Sequence, residues 1–82
     1  MLNIKVVGPG CLNCNRLEQM CRNIVEENNL EANIEKISDL NKFAELGILM
    51  TPGLIINNKV ISSGKVPVKG TLEKWILDAV QN

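Results

Sequence analysis

An apolar run, a short turn and a helical pattern follow one another over the first 28 residues, and this succession constrains the fold most strongly. Residues Leu2–Val7 are apolar nearly throughout, as expected of a strand that is covered on both faces. After the turn Gly8-Pro9-Gly10, apolar residues recur at helical spacing, at positions 14, 17, 20, 21, 24 and 25. We therefore expect a strand, then a helix that buries one face and ends near Asn28-Asn29.

The next segments predict a second strand and a short second helix. Apolar and polar residues alternate over residues 30–35, which indicates a half-buried strand. Ser38 or Asp39 is a suitable cap for the start of a helix, and Gly47 is a suitable end. We expect this helix to bury three apolar side chains, Leu40, Phe43 and Ala44.

A hairpin is expected in the second half of the chain. Asn57-Asn58 lies between apolar residues 53–56 and residues 59–61. Asparagine tolerates the positive φ of a two-residue hairpin turn, so these two strands should be antiparallel.

The last helix is predicted over about residues 68–80, with Thr71 as the preferred cap or with Lys69 and Gly70 in a weak first turn. The element order is then βαβαββα, in one α/β domain over residues 1–82. A helix between the first two strands makes that pair parallel, and the hairpin completes a four-stranded mixed sheet flanked by three helices. The inner face of the last helix should consist of Leu72, Trp75, Ile76 and Ala79.

Charge and hydropathy argue against several classes of partner. Nine basic and nine acidic residues are interspersed, so no basic stripe favours nucleic acid or an anionic membrane. No apolar stretch approaches the roughly 18 residues of a membrane span, and no N-terminal stretch resembles a signal peptide. A cytoplasmic location is therefore expected. There, paired cysteines indicate redox catalysis or metal binding rather than a structural disulfide.

The paired cysteines are Cys11 and Cys14, at the predicted start of the first helix. The first turn of a helix has unpaired N–H groups and a partial positive charge, which favour a thiolate over a thiol. Residues three apart share one helix face and lie only ~4.5 Å apart along its axis. The two sulfur atoms are therefore able to form a disulfide or to bind one soft metal ion.

With Cys-x-x-Cys at the first helix and Thr51-Pro52 before the third strand, the chain resembles the thioredoxin superfamily over essentially its whole length. Residues 8–14, 50–53 and 57–60 are most similar to small, glutaredoxin-sized archaeal and bacterial redox-active disulfide proteins. The resemblance implies a thioredoxin-like fold. It also implies a thiol-disulfide oxidoreductase, without a cofactor, that acts on disulfides of proteins or small thiols. A thioredoxin-reductase-like protein or glutathione would reduce it.

The resemblance also implies a role for each site residue. Cys11 would be the attacking thiolate, and Cys14, one turn inside the helix, would be the resolving thiol. Thr51 would offer backbone hydrogen bonds to an extended substrate or to glutathione. Pro52 would follow a cis peptide bond and shape the site.

Two departures from better-known relatives narrow this expectation. Thioredoxins have a tryptophan where this chain has Gly10. They also have a buried acidic residue in the preceding strand, whereas the single charged residue of Leu2–Val7 is the basic Lys5. The proton acceptor for Cys14 is therefore unassigned. Glutaredoxins bind glutathione with a Gly-Gly turn and an acidic residue, whereas residues 62–65 contain one glycine and no acid.

The third cysteine, Cys21, is expected to be a core residue. It lies about 10.5 Å beyond Cys14 along the helix, too far for a disulfide. A free buried cysteine packs like a small apolar side chain.

Two alternative functions would use the same Cys11 and Cys14 pair. The first is a protein that binds copper(I), zinc or an arsenical. One chain with three cysteines and no histidine cannot, however, form a closed four-ligand zinc site. We therefore assign no metal ligand. A non-enzymatic redox switch, in which disulfide formation alters binding to another protein, is the other.

Overall fold

The computed structural model describes residues 1–81, so the predicted domain end at Asn82 lies outside the described residues. The predicted βαβαββα order is confirmed. The strands are β1 (Leu2–Val7), β2 (Ala32–Ile37), β3 (Gly53–Ile56) and β4 (Lys59–Ser63), and the helices are α1 (Leu12–Glu27), α2 (Leu40–Phe43) and α3 (Lys69–Gln81).

The four strands form one mixed sheet in the order β2-β1-β3-β4. The pair β1 and β2 is parallel, whereas β3 is antiparallel to both β1 and β4. Asn57 and Asn58 have φ angles of 50° and 67°, which confirms the expected hairpin turn. This topology places β1 in the middle of the sheet, and the turn after it leads directly into α1.

The main core lies between one face of the sheet and the helices α1 and α3. Alternate residues of β1 and β3 point into it, together with one face of each helix; its buried members include Ile4, Val6, Leu17, Ile24, Leu54, Leu72 and Ile76. Trp75 and Ala79 of α3 are half-buried against the same core. The predicted inner faces of α1 and α3 are therefore confirmed.

The other face of the sheet is covered only in part. Val7, Ile48 and Ile55 form a small second core there. Asn3 is exposed and Lys5 is half-buried on this face of β1. The expectation that β1 is covered on both faces is therefore wrong except near its carboxyl end, because the short covering segment reaches only that far.

The prediction for the second helix is wrong in its buried residues. Leu40 is 69% exposed and Ala44 is exposed, while Phe43 is half-buried. Asp39 is the cap, and its carboxylate accepts the N–H of Asn41 at 2.9 Å. A helix of four residues is too short to present an apolar stripe, so residues further along the chain cover this face.

The last helix starts at Lys69, so of the two predicted starts the one with Lys69 and Gly70 in the first turn is confirmed. Leu72 already donates its N–H to the carbonyl of Val68 at 3.0 Å. One strand boundary differs from the prediction: β2 continues past residue 35 to Ile37, because its pairing with β1 continues to Val7. In residues 1–81, no helix is long and apolar enough to cross a membrane.

Cys21 lies in the main core, as predicted, with none of its surface exposed. Desolvation by burial, with a smaller contribution from the carboxylate of Glu18, raises the pKa of its thiol from 9.0 to about 12. The buried thiol therefore remains neutral at pH values where an exposed thiol is ionised.

Gly53 lies so close to Ile48 that a side chain there would overpack the second core. A Cβ atom at this position would be 2.7 to 3.0 Å from three Ile48 side-chain atoms. We expect Gly53→Ala to lower the free energy of unfolding by about 1–3 kcal/mol. Gly70→Ala is the matched control in α3, where a Cβ atom meets nothing within 4 Å, and it should raise stability by about 0.5–1 kcal/mol. Urea unfolding of both variants checks this, and equal effects would contradict it.

Burial of Cys21 also predicts a pH dependence of stability. The unfolded chain loses the thiol proton above about pH 9, whereas the folded chain keeps it until about pH 12. The stabilisation is therefore complete below pH 9 and falls as the pH rises toward 12. By pH 10 the free energy of unfolding should have fallen by about 1 kcal/mol through this thiol. The Cys21→Ala variant should not show this part of the decrease.

The test compares the protein that keeps Cys21 with the Cys21→Ala variant by urea unfolding at pH 8 and pH 10. Both carry Cys11→Ser and Cys14→Ser so that no disulfide exchanges during the measurement. A difference in unfolding free energy that is the same at both pH values would contradict the assignment.

Candidate active site

The end of β1 and the start of α1 place Cys11 at the helix N-cap. Gly8 donates its N–H to the carbonyl of Ile37 at 2.8 Å, which ties the end of β1 to β2. Gly10 has a φ of +93°, a conformation that favours glycine, and the chain then enters the helix. At Cys11, extended backbone angles of −68° and 166° direct the side chain back over the first turn.

Cys11 and Cys14 form a disulfide with their Cα atoms 5.1 Å apart. The sulfur of Cys11 also accepts the backbone N–H of Cys14 at 3.2 Å, so it acts as the capping atom of α1. Within residues 12–15, the first turn of α1, there is no acidic side chain. The partial positive charge of the helix N-terminus therefore acts on this sulfur without a neighbouring carboxylate in that turn to oppose it.

The two cysteines differ strongly in exposure. Cys11 is exposed, whereas no part of Cys14 is accessible. Cys14 continues the buried face of α1 that includes Leu17 and Cys21. An incoming molecule therefore meets the sulfur of Cys11 before that of Cys14.

The backbone of Gly8 lies directly against the buried sulfur of Cys14. A Cβ atom added at Gly8 would overlap the Cys14 sulfur and would lie 3.7 Å from the Cβ atom of Thr51. Cys14 and Thr51 therefore both pack beside the backbone of this one glycine. Sequence reasoning treated Gly8 only as part of a turn, and its position between a strand and Cys-x-x-Cys was the available indication.

The peptide bond between Thr51 and Pro52 is cis. Pro52 is buried, and its carbonyl accepts the N–H of Gly64 at 2.9 Å. Thr51 is half-buried, and among residues 1–81 its N–H and C=O take part in no backbone hydrogen bond. The structure thus brings Thr51 close to Cys14 and leaves its backbone groups available.

Two kinds of side-chain group are absent from the site in the part of the chain that the structure describes: a buried carboxylate and a cluster of metal ligands. Within residues 1–81 no charged side chain is buried, so no buried carboxylate lies beneath the disulfide. Lys5, the charged residue of β1, is half-buried and pairs in register with Glu35 and Ile55. In the same described range, no group of three or more metal-ligating side chains is positioned to hold a metal ion.

Comparisons with known proteins agree with this fold. A family model described as a thioredoxin domain matches residues 2–77. A thioredoxin of Methanothermobacter thermautotrophicus is 34% identical over 74 residues, which cover 90% of this chain and 96% of that protein. A thioredoxin of Methanocaldococcus jannaschii is 34% identical over 67 residues, covering 82% of this chain and 77% of that protein. The chain belongs to the thioredoxin superfamily and is a thiol-disulfide oxidoreductase with a Cys-x-x-Cys motif.

Proposed function

We propose that Cys11 is the nucleophile of this oxidoreductase, that Cys14 is its resolving thiol, and that Thr51 and Pro52 bind the substrate. The observation that carries this proposal is the unequal placement of the two sulfur atoms. Cys11 is exposed at the helix N-cap, whereas Cys14 is fully buried against Gly8.

The first step uses the thiolate of reduced Cys11. The N–H of Cys14 and the helix N-terminus both stabilise negative charge on this sulfur, which favours the thiolate that attacks. The thiolate attacks one sulfur of a substrate disulfide. A mixed disulfide forms on Cys11, and the other half of the substrate leaves as a thiolate.

The second step uses Cys14 and closes the protein disulfide. The Cys14 thiol gives its proton to the departed thiolate, directly or through water, because no buried carboxylate in residues 1–81 is present to accept it. The Cys14 sulfur then attacks the Cys11 sulfur, and the second half of the substrate leaves as a thiolate that takes a proton from water. The substrate disulfide gains two electrons, and the protein dithiol loses two.

The substrate is a disulfide in an extended protein segment or in a small thiol compound. The N–H and C=O of Thr51 support this choice, because they form no backbone hydrogen bond within residues 1–81 and lie beside the Cys14 site. A strand-like segment pairs through such backbone groups.

The electron donor that we propose is a thioredoxin-reductase-like protein rather than glutathione. Residues 62–65 contain no carboxylate for the glutathione amino group. We further propose that residues 1–82 function as one domain, since the four strands form a single sheet and the site residues lie in segments next to its two central strands, after β1 and before β3. The cytoplasmic location stays a prediction.

The two single serine variants test the roles of the cysteines. Cys11→Ser should lower the rate of disulfide reduction by roughly a hundredfold or more, because the attacking sulfur is lost. Cys14→Ser should still attack a disulfide and should accumulate a mixed disulfide on Cys11, which mass spectrometry detects as an added substrate half.

Cys21→Ala is the matched control, since it removes a sulfur that is buried in the core, and its rate should stay close to that of the unaltered protein. Full activity of Cys11→Ser, or an adduct on Cys14 rather than Cys11, would overturn the assignment.

Gly8→Ala tests whether the Cys14 sulfur needs the glycine backbone. The added methyl group would overlap this sulfur, so the oxidised protein should lose about 1–3 kcal/mol of stability. Because Cys14 is displaced, the mixed disulfide on Cys11 should persist longer than in the unaltered protein. Quenched-flow mass spectrometry measures that lifetime, and an unchanged lifetime and unfolding midpoint would show that the contact is dispensable.

A further inference from the structure

Asn15, the residue after Cys14, holds the turn that carries Cys11 at two points. Its backbone N–H donates to the carbonyl of Cys11 at 3.0 Å. Its side-chain amide N–H donates to the carbonyl of Gly10 at 3.4 Å. The carbonyl groups of Gly10 and Cys11 therefore both accept hydrogen bonds from Asn15.

The side chain of Asn15 is in turn held by strand β2. The ammonium group of Lys36 donates a hydrogen bond to Oδ1 of Asn15. Lys36 also lies 3.9 Å from the carboxylate of Glu18, which forms a 2.9 Å ion pair with Arg22. Lys36 thus links β2 to α1 at the helix end where the disulfide lies.

We propose that Asn15 and Lys36 are positioning residues for thiol-disulfide exchange. Together they keep the Gly10–Cys11 turn in place, and so they keep the sulfur of Cys11 within reach of Cys14 when the disulfide is open. This inference rests on the proposed roles of Cys11 and Cys14.

The turn needs such support because the sheet does not hold it. Within residues 1–81, the last backbone hydrogen bond from this end of β1 to the sheet is that of Gly8 to Ile37, and the glycine at position 10 leaves the backbone free to adopt other conformations. When the disulfide is reduced, the covalent link that restrains the turn is gone, and the Asn15 hydrogen bonds remain. Loss of the two side-chain hydrogen bonds of Asn15, to Gly10 and Lys36, lets Cys11 occupy more positions, which lowers the effective concentration of one sulfur at the other.

Asn15→Ala should therefore make the disulfide harder to close. We expect the equilibrium constant for closure to fall about fivefold, which for a two-electron couple is a rise in reduction potential of about 20 mV. A redox titration against dithiothreitol, with alkylation and mass spectrometry of Cys11 and Cys14, measures it without any substrate.

Asn23→Ala is the matched control, because Asn23 is an exposed residue of the same helix whose side-chain oxygen accepts a hydrogen bond from Gln19 at 2.9 Å, one turn earlier in α1 and away from the Cys11 turn. Its titration should match that of the unaltered protein.

Variants of Lys36 show whether the redox titration depends on the hydrogen bond from Lys36 to Asn15 or on the loss of any positive charge beside α1. Lys36→Met should shift the titration in the same direction as Asn15→Ala, and Lys36→Arg should restore it because its guanidinium also donates to Oδ1 of Asn15. Lys69→Met is the matched control, since Lys69 pairs with Glu27 at 3.0 Å at the other end of α1.

Closure constants of Asn15→Ala and Lys36→Met within twofold of the unaltered protein, or shifts in the opposite direction, would overturn the inference. Failure of the proposed function appears separately, as retained exchange by Cys11→Ser.

Discussion

The sulfur of Cys14 packs against the backbone of Gly8, and the arrangement of the site follows from that contact. Gly8 lies where the central strand β1 ends, bonded to the carbonyl of Ile37. Because glycine has no Cβ atom, the first turn of α1 can approach the sheet closely enough to bury Cys14 fully. The same approach leaves Cys11 at the N-cap, exposed to solvent. One close contact thus makes two cysteines three residues apart chemically unequal.

The rest of the fold maintains this difference in exposure between Cys11 and Cys14. One face of α1 packs into the main core through residues such as Leu17 and Ile24, which fixes the depth of Cys14. The cis peptide before Pro52 and the start of β3 place Thr51 beside Gly8. Thr51, Cys11 and Cys14 therefore lie together at one end of the sheet. The thiol of Cys21, in the same helix, is kept neutral by burial, which raises its pKa.

Periodic and local patterns made most of the fold predictable. The helical spacing in α1, the Asn57-Asn58 turn and the element order all depend on neighbours in sequence, and each prediction was confirmed. The burial of Leu40 and Ala44 was predicted wrongly, because a four-residue helix forms no stripe and the covering side chains come from beyond it. The contact of Lys36 with Asn15 joins segments 21 residues apart, so no local pattern indicates it. The contact of Gly8 with Cys14 is local, but it depends on how closely α1 approaches the end of β1, which periodicity does not specify.

The central claim is that position alone separates the reactivity of Cys11 from that of Cys14. Its most direct test is limited alkylation of the fully reduced, folded protein with iodoacetamide at pH 7, resolved by peptide mass spectrometry. Cys11 should be labelled at least about tenfold faster than Cys14, because it is exposed and its thiolate is stabilised. Labelling of Cys14 at the same rate as Cys11, or faster, would contradict the account.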